Sequence, residues 1–271
     1  MTGQRSSYAV VVLELTGAGA CDALAAAMAG PAAEAAVPLR AMRRAGSDET
    51  LPERRLRALR EADADIVMMV EDTSLPNSTW LDGLRQAFAR DEVAMAWGPV
   101  AIDPALPARF RALGRLEYGR FDGRLQEPTA PGNLMALRRA AVLAALAPGE
   151  GIIEHKLAHG FRDAGLKVVM ESALGSVYAR PDRQGARFVT RFGHGRIFGA
   201  GREGSRIGGI LRALVAMPVL SARAARAAIA ASPPRGWLPE LPWIVIMASA
   251  WSAGELTGLI LGPGQSAGSW K

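Results

Sequence analysis

A chain of 271 residues with 49% apolar side chains can bury a sizeable core, which excludes a disordered segment. Its single cysteine, Cys21, excludes an intrachain disulfide or a cysteine zinc cluster, and the residue reads as a small core side chain. The formal charge of +6 is uneven: from Arg180 to Arg235 eleven arginines meet only Asp182 and Glu203, a local +9 that leaves about −3 elsewhere. Such a block suits phosphates or anionic head groups. No RNA or DNA module accompanies it, so no nucleic-acid partner is expected.

Residues 8–15 form a β-branched run and predict a first buried strand. Gly17 and Gly19 turn it into an Ala-rich helix over about 21–29. They lack the third glycine and the later acid of a dinucleotide loop. Residues 37–42 predict a second strand, and Ser47 is placed as the N-cap of a helix running to Arg60. A third strand spans 66–71, a helix 78–90 and a fourth strand 93–102. This alternation predicts a mostly parallel sheet. Helices over 140–146 and 152–164 and a strand over 166–170 follow. After about residue 181 the character changes. Residues 187–206 are rich in glycine and arginine, and 207–231 are apolar and Ala-rich, with Pro218 expected to kink them. Arg212, Arg223 and Arg226 fall near one helical face, as an interfacial helix needs. Residues 232–236 form a linker. The run 241–262 is long enough to span a bilayer, with Trp243 and Trp251 suited to an interface and Glu255 its one charge. Three parts are expected: an α/β domain over 1–180, which the resemblance given below makes the catalytic one, a basic amphipathic region over 181–235 and a hydrophobic membrane segment over 236–271.

The most informative stretch is 64–81. An apolar run of strand length ends in Glu71-Asp72, and a turn at Pro76 leads to Trp80. Carboxylates at the C-terminal edge of such a strand sit where open α/β sheets bind ligands. This pattern resembles the acidic strand end of inverting family 2 glycosyltransferases: an apolar run, three acids, a Pro-containing turn and a Trp. Gly132-Asn133 with Arg138-Arg139 resembles the family's strand-to-helix segment on the acceptor side. The helix ending at Ala164-Gly165 resembles the one carrying its base.

The resemblance implies a GT-A fold, α/β with a mostly parallel mixed sheet, and C-terminal membrane-associated helices. It implies an inverting transferase that takes a sugar from a nucleotide-sugar to a lipid-linked or polysaccharide acceptor at the cytoplasmic face of a membrane. Residues 1–7, which carry no signal-peptide pattern, agree with that location. Glu154 falls on the acid that takes the acceptor proton. Glu71, Asp72, Asp48 and Arg196 fall on donor-binding positions, and Gly132 and Asn133 on the acceptor side. Asp72 is also the implied ligand of a magnesium or manganese ion. Thr73 stands at the third acidic position, where it cannot replace a carboxylate's charge. His155 and His159 share a helical face, but two ligands without a third suggest a surface pair rather than a zinc site. Two other readings stand beside this one. The chain is a catalytically inactive membrane partner of another transferase, or it is a nucleotidyltransferase, against which the missing glycine- and lysine-rich loop argues.

Overall fold

The structure is a computed structural model and describes residues 6–46, 49–124, 129–180, 188–202, 205–231 and 236–264. Among them the chain divides into two compact units. The first comprises Met1–Ala101 and Phe121–Arg180, the second Ile102–Arg120 and Pro181–Lys271. The segment Ile102–Arg120 lies in the same compact unit as the C-terminal helices.

In the first unit six strands form one sheet. They are β1 (Tyr8–Leu13), β2 (Leu39–Met42), β3 (Ile66–Glu71), β5 (Val93–Trp97), β7 (Leu134–Arg138) and β8 (Lys167–Met170). Their order is β2-β1-β3-β7-β5-β8. All pairings are parallel except those of β7, which runs antiparallel to both neighbours. This is the mostly parallel α/β sheet expected from sequence. Val10, Val12, Met68 and Val70 lie in a cluster with Leu24, Met28, Trp80 and Leu84. The alternating residues Val11, Leu13, Val67 and Met69 are equally inaccessible. Both faces of the central strands are therefore covered, which is why they read as unbroken apolar runs rather than as alternation.

The helices of this unit are α1 (Ala18–Glu34), α2 (Leu51–Glu61), α3 (Trp80–Phe88), α5 (Arg139–Ala145) and α6 (Glu154–Asp163). Helix α1 runs past its expected end near Ala29. Burial of Met28 and Ala32 carries the helical register through Pro31. Thr50 caps α2 through a reciprocal box with Glu53. Ser47, expected to cap it, lies outside the described residues.

The expected strand over 93–102 is two strands in two sheets. The second, β6 (Val100–Ile102), pairs in a small sheet with β4 (Ser74–Pro76) and β9 (Ser176–Tyr178), in the order β4-β9-β6. The break falls at Gly98-Pro99. A Cβ on Gly98 would lie 2.1 Å from the Leu174 carbonyl carbon, so only glycine admits the passing backbone.

The second unit is helical: α4 (Ala108–Tyr118), α7 (Phe188–Ala200), α8 (Arg206–Ala231) and α9 (Leu241–Leu261). Helices α7 and α9 approach backbone to backbone. A Cβ on Gly195 would lie 2.1 Å from the Trp251 carbonyl oxygen, and one on Gly258 would lie 2.0 Å from that of Arg196. Glycines four apart on both helices make this contact possible. Helix α8 continues through Pro218. Two stretches, Ile207–Ala231 and Leu238–Leu261, are long and apolar enough to cross a membrane by length and composition.

Candidate functional site

The parallel strands all end at one edge of the large sheet, and antiparallel β7 begins there. The Glu71 N–H donates to the Asn133 carbonyl at 2.8 Å, and the Asp72 N–H to the Leu13 carbonyl at 3.0 Å. Three stretches distant in sequence are thereby fixed side by side: the acids after β3, the loop after β1, and Gly132-Asn133 before β7.

Arg55 organises this edge. It lies on α2 and is almost inaccessible. One guanidinium nitrogen, Nη2, is 2.7 Å from Glu71 Oε1, and the other, Nη1, is 2.7 Å from Glu154 Oε2. Nη2 also donates to the Gly132 carbonyl at 3.1 Å. A Cβ on Gly132 would meet Nη2 at 2.6 Å, so glycine there leaves room for the guanidinium. Glu71 is buried, whereas the Glu154 side chain remains 26% exposed at the first turn of α6. Burial works to raise the Glu154 carboxyl. The Arg55 charge, the Glu154 N–H, the Arg55 hydrogen bond and the His155 charge outweigh it and hold the group below the usual carboxylate range. Glu154 is thus ionised at neutral pH and in part open to a ligand.

Asp72 does other work. Its carboxylate accepts the Thr16 N–H at 3.0 Å and the Thr16 hydroxyl at 3.1 Å. Burial pushes it above the usual range, against the pull of the N–H groups of Thr16, Leu15 and Gly17. It therefore anchors the β1–α1 loop. Arg54 reinforces that loop by donating to the Glu14 carbonyl. Its partner Glu49 also meets Arg57 Nε at 2.7 Å. Burial would raise Glu49, but the two guanidinium groups and the Ala45 N–H hold it at about 2.

A divalent cation held by protein carboxylates does not fit this donor set. Glu71 faces Arg55, the Asp72 oxygens are engaged by the loop, and Thr73 offers only a neutral hydroxyl. Among the described residues no three His, Cys, Asp or Glu side chains converge as ligands. Asp72, expected as the metal ligand, is a loop anchor instead.

The structure thus brings together Glu71, Asp72, Gly132, Asn133 and Glu154. Asn133 is wholly buried and donates to the hydroxyls of Ser74 and Ser176 at 2.8 and 3.1 Å, tying the small sheet to β7 rather than facing an acceptor. Arg196 belongs to the second unit, where its Nε donates to the Gly262 carbonyl at 2.9 Å. Asp48 lies outside the described residues. Sequence reasoning missed Arg55. Its signal was an arginine in helical register with the buried Ala58, Leu59 and Ala62.

No family model and no curated protein matches the sequence. Solved structures do resemble it in shape. GalNAc-T7 with UDP, GalNAc and Mn2+ aligns over 66% of this chain and 45% of its own, at 10% identity and a TM-score of 0.43. Glucosyl-3-phosphoglycerate synthase from Mycobacterium tuberculosis, with Mn2+, UDP and glucosyl-3-phosphoglycerate, aligns over 69% of this chain and 78% of its own, at 14% identity and a TM-score of 0.43. A mycobacterial protein aligns over 68% and 73%, at 16% identity and a TM-score of 0.41. The chain spans less than half the length of GalNAc-T7.

Proposed function

We propose that the chain is a glycosyltransferase, moving a sugar from a nucleotide-sugar to a lipid-linked or polysaccharide acceptor with inversion. The observation that carries this reading is the Arg55 bridge. It sets an ionised, part-exposed Glu154 beside the acids that end β3, at the ligand-binding edge of a mostly parallel sheet.

In the reaction the acceptor hydroxyl oxygen attacks the anomeric carbon from the face opposite the leaving group. Its proton passes to the Glu154 carboxylate as the bond from carbon to the diphosphate oxygen breaks. The nucleoside diphosphate leaves with the bonding electron pair. Glu154 is the catalytic residue and Arg55 a positioning residue. Arg55 fixes the carboxylate and keeps it ionised, at some expense in basicity. Asp72 and Thr16 shape the β1–α1 loop against which the nucleotide would lie.

Glu154→Gln should lower turnover by about 100-fold or more, the usual contribution of a general base. Donor affinity should stay nearly unchanged. Equal turnover in that variant would sink the assignment. The second reading, a catalytically inactive partner that keeps the fold, is favoured by Thr73 at the third acidic position and by the ion pair that engages Glu154 Oε2. It predicts nucleotide binding without turnover in the unaltered protein.

A further inference from the structure

Helix α8 is built inside out. Its small residues Gly209, Ala213, Ala224 and Ala228 are buried. Ala224 packs with Ala112 and Ile244, and a Cβ on Gly209 would meet the Leu259 side chain at 2.8 Å. Its large apolar residues point away from the unit. Ile207, Leu211, Leu214, Val215, Val219 and Ile229 are each 50% or more exposed. The first four recur at i, i+4, i+7 and i+8, so they share one side of the helix. Arg212, Arg223 and Arg226 are exposed along the margin of that side, and α8 carries no acid at all.

We propose that this face lies flat in the interface of an anionic bilayer. The apolar row would enter the acyl boundary, and the three arginines would rest among anionic head groups. Water is a poor neighbour for six large apolar side chains in a row. A second copy of the chain, meeting this face through a two-fold axis, would bring its arginines against their own kind. An anionic surface instead neutralises them. A transmembrane course for α8 would draw Arg212, Arg223 and Arg226 into hydrocarbon, whereas the flat course leaves each at the head-group level. The surface is independent of any reaction at the sheet edge.

The test is flotation of the full chain, diluted from detergent, with phosphatidylcholine vesicles and with vesicles that also contain phosphatidylglycerol. Preferential binding to the anionic vesicles, weakened by salt, is expected. Each arginine near such a surface raises partitioning about fivefold, so R212Q/R223Q/R226Q should lose about 100-fold. L211E/L214E should lose at least about tenfold on both vesicle types. Because these side chains face outward, unchanged helicity and melting would certify the fold of both variants. Equal binding to neutral and anionic vesicles, or binding indifferent to all five substitutions, would overturn the proposal. So would a lipid-free dimer that L211E/L214E dissolves, which would assign the face to a second copy.

Discussion

Each unit of this protein has a buried charged hub, Arg55 in one and Glu240 in the other, and the two hubs are opposite in stoichiometry. At the sheet edge one guanidinium, Arg55, serves two carboxylates, and one of these, Glu154, is part exposed. In the helical unit one carboxylate, Glu240, is wholly inaccessible and faces two guanidinium groups, Arg111 Nε at 2.7 Å and Arg115 Nε at 3.6 Å. Buried charge is costly and survives only when paired. The closed set around Glu240 therefore reads as a staple between α4 and the start of α9. The open set around Arg55 keeps carboxylate capacity at an accessible edge, where a ligand can use it.

Removing either hub tests that contrast. Glu240→Ala should have the largest effect on stability, about 3–5 kcal/mol in urea unfolding, because it strands two largely buried arginines. Arg55→Leu should cost about 3 kcal/mol, since Glu71 loses its partner in the interior while Glu154 can turn to water. It should also raise the Glu154 pKa, read as an upward move of the acid limb of any pH–rate profile. An equal loss of stability with no move in that limb would make Arg55 another staple.

Gly132→Ala is milder. Its Cβ would press on Arg55 Nη2, costing about 1–2 kcal/mol and loosening the bridge. Glu49→Gln tests the ion pairs beside the bridge rather than the bridge itself. Glu49 is held at about 2 in the fold, against 4.5 for an ordinary glutamate side chain. Its contribution is complete above about pH 4.5 and is lost as pH falls toward 2. The variant should be less stable at pH 7, with a flatter acid limb between those values. An unchanged limb would place the acid sensitivity elsewhere.

The parallel strands of the large sheet and the helices between them were legible in the sequence, because apolar runs with polar breaks are local signals; antiparallel β7 was marked only by the likeness of its flanks, Gly132-Asn133 and Arg138-Arg139. Helix α7 was not legible. Gly193, Gly195 and Gly199 disfavour a helix in isolation, and at Gly195 and Gly199 it is the close contact with α9 that makes glycine fit. The short strands β4 and β9 were invisible for a related reason: three residues each, they are specified by distant pairing, Leu75 with Val177 and Ser74 with Tyr178, so that nothing local marks them. At the candidate site the acids were legible and their roles were not. Asp72 meets Thr16 across 56 positions, and Arg55 meets Glu154 across 99. Such partners are set by strand order, which no single motif encodes. Arg196 likewise finds its partner at long range, its Nε donating to the Gly262 carbonyl across 66 positions.

The most direct test is calorimetric titration of the detergent-solubilised protein with a panel of nucleoside diphosphates, each with manganese and with a chelator. One nucleotide should bind, and Asp72→Asn, which releases the β1–α1 loop, should weaken it at least tenfold. No binding across the panel, or binding indifferent to Asp72, would contradict a nucleotide-sugar site at this edge.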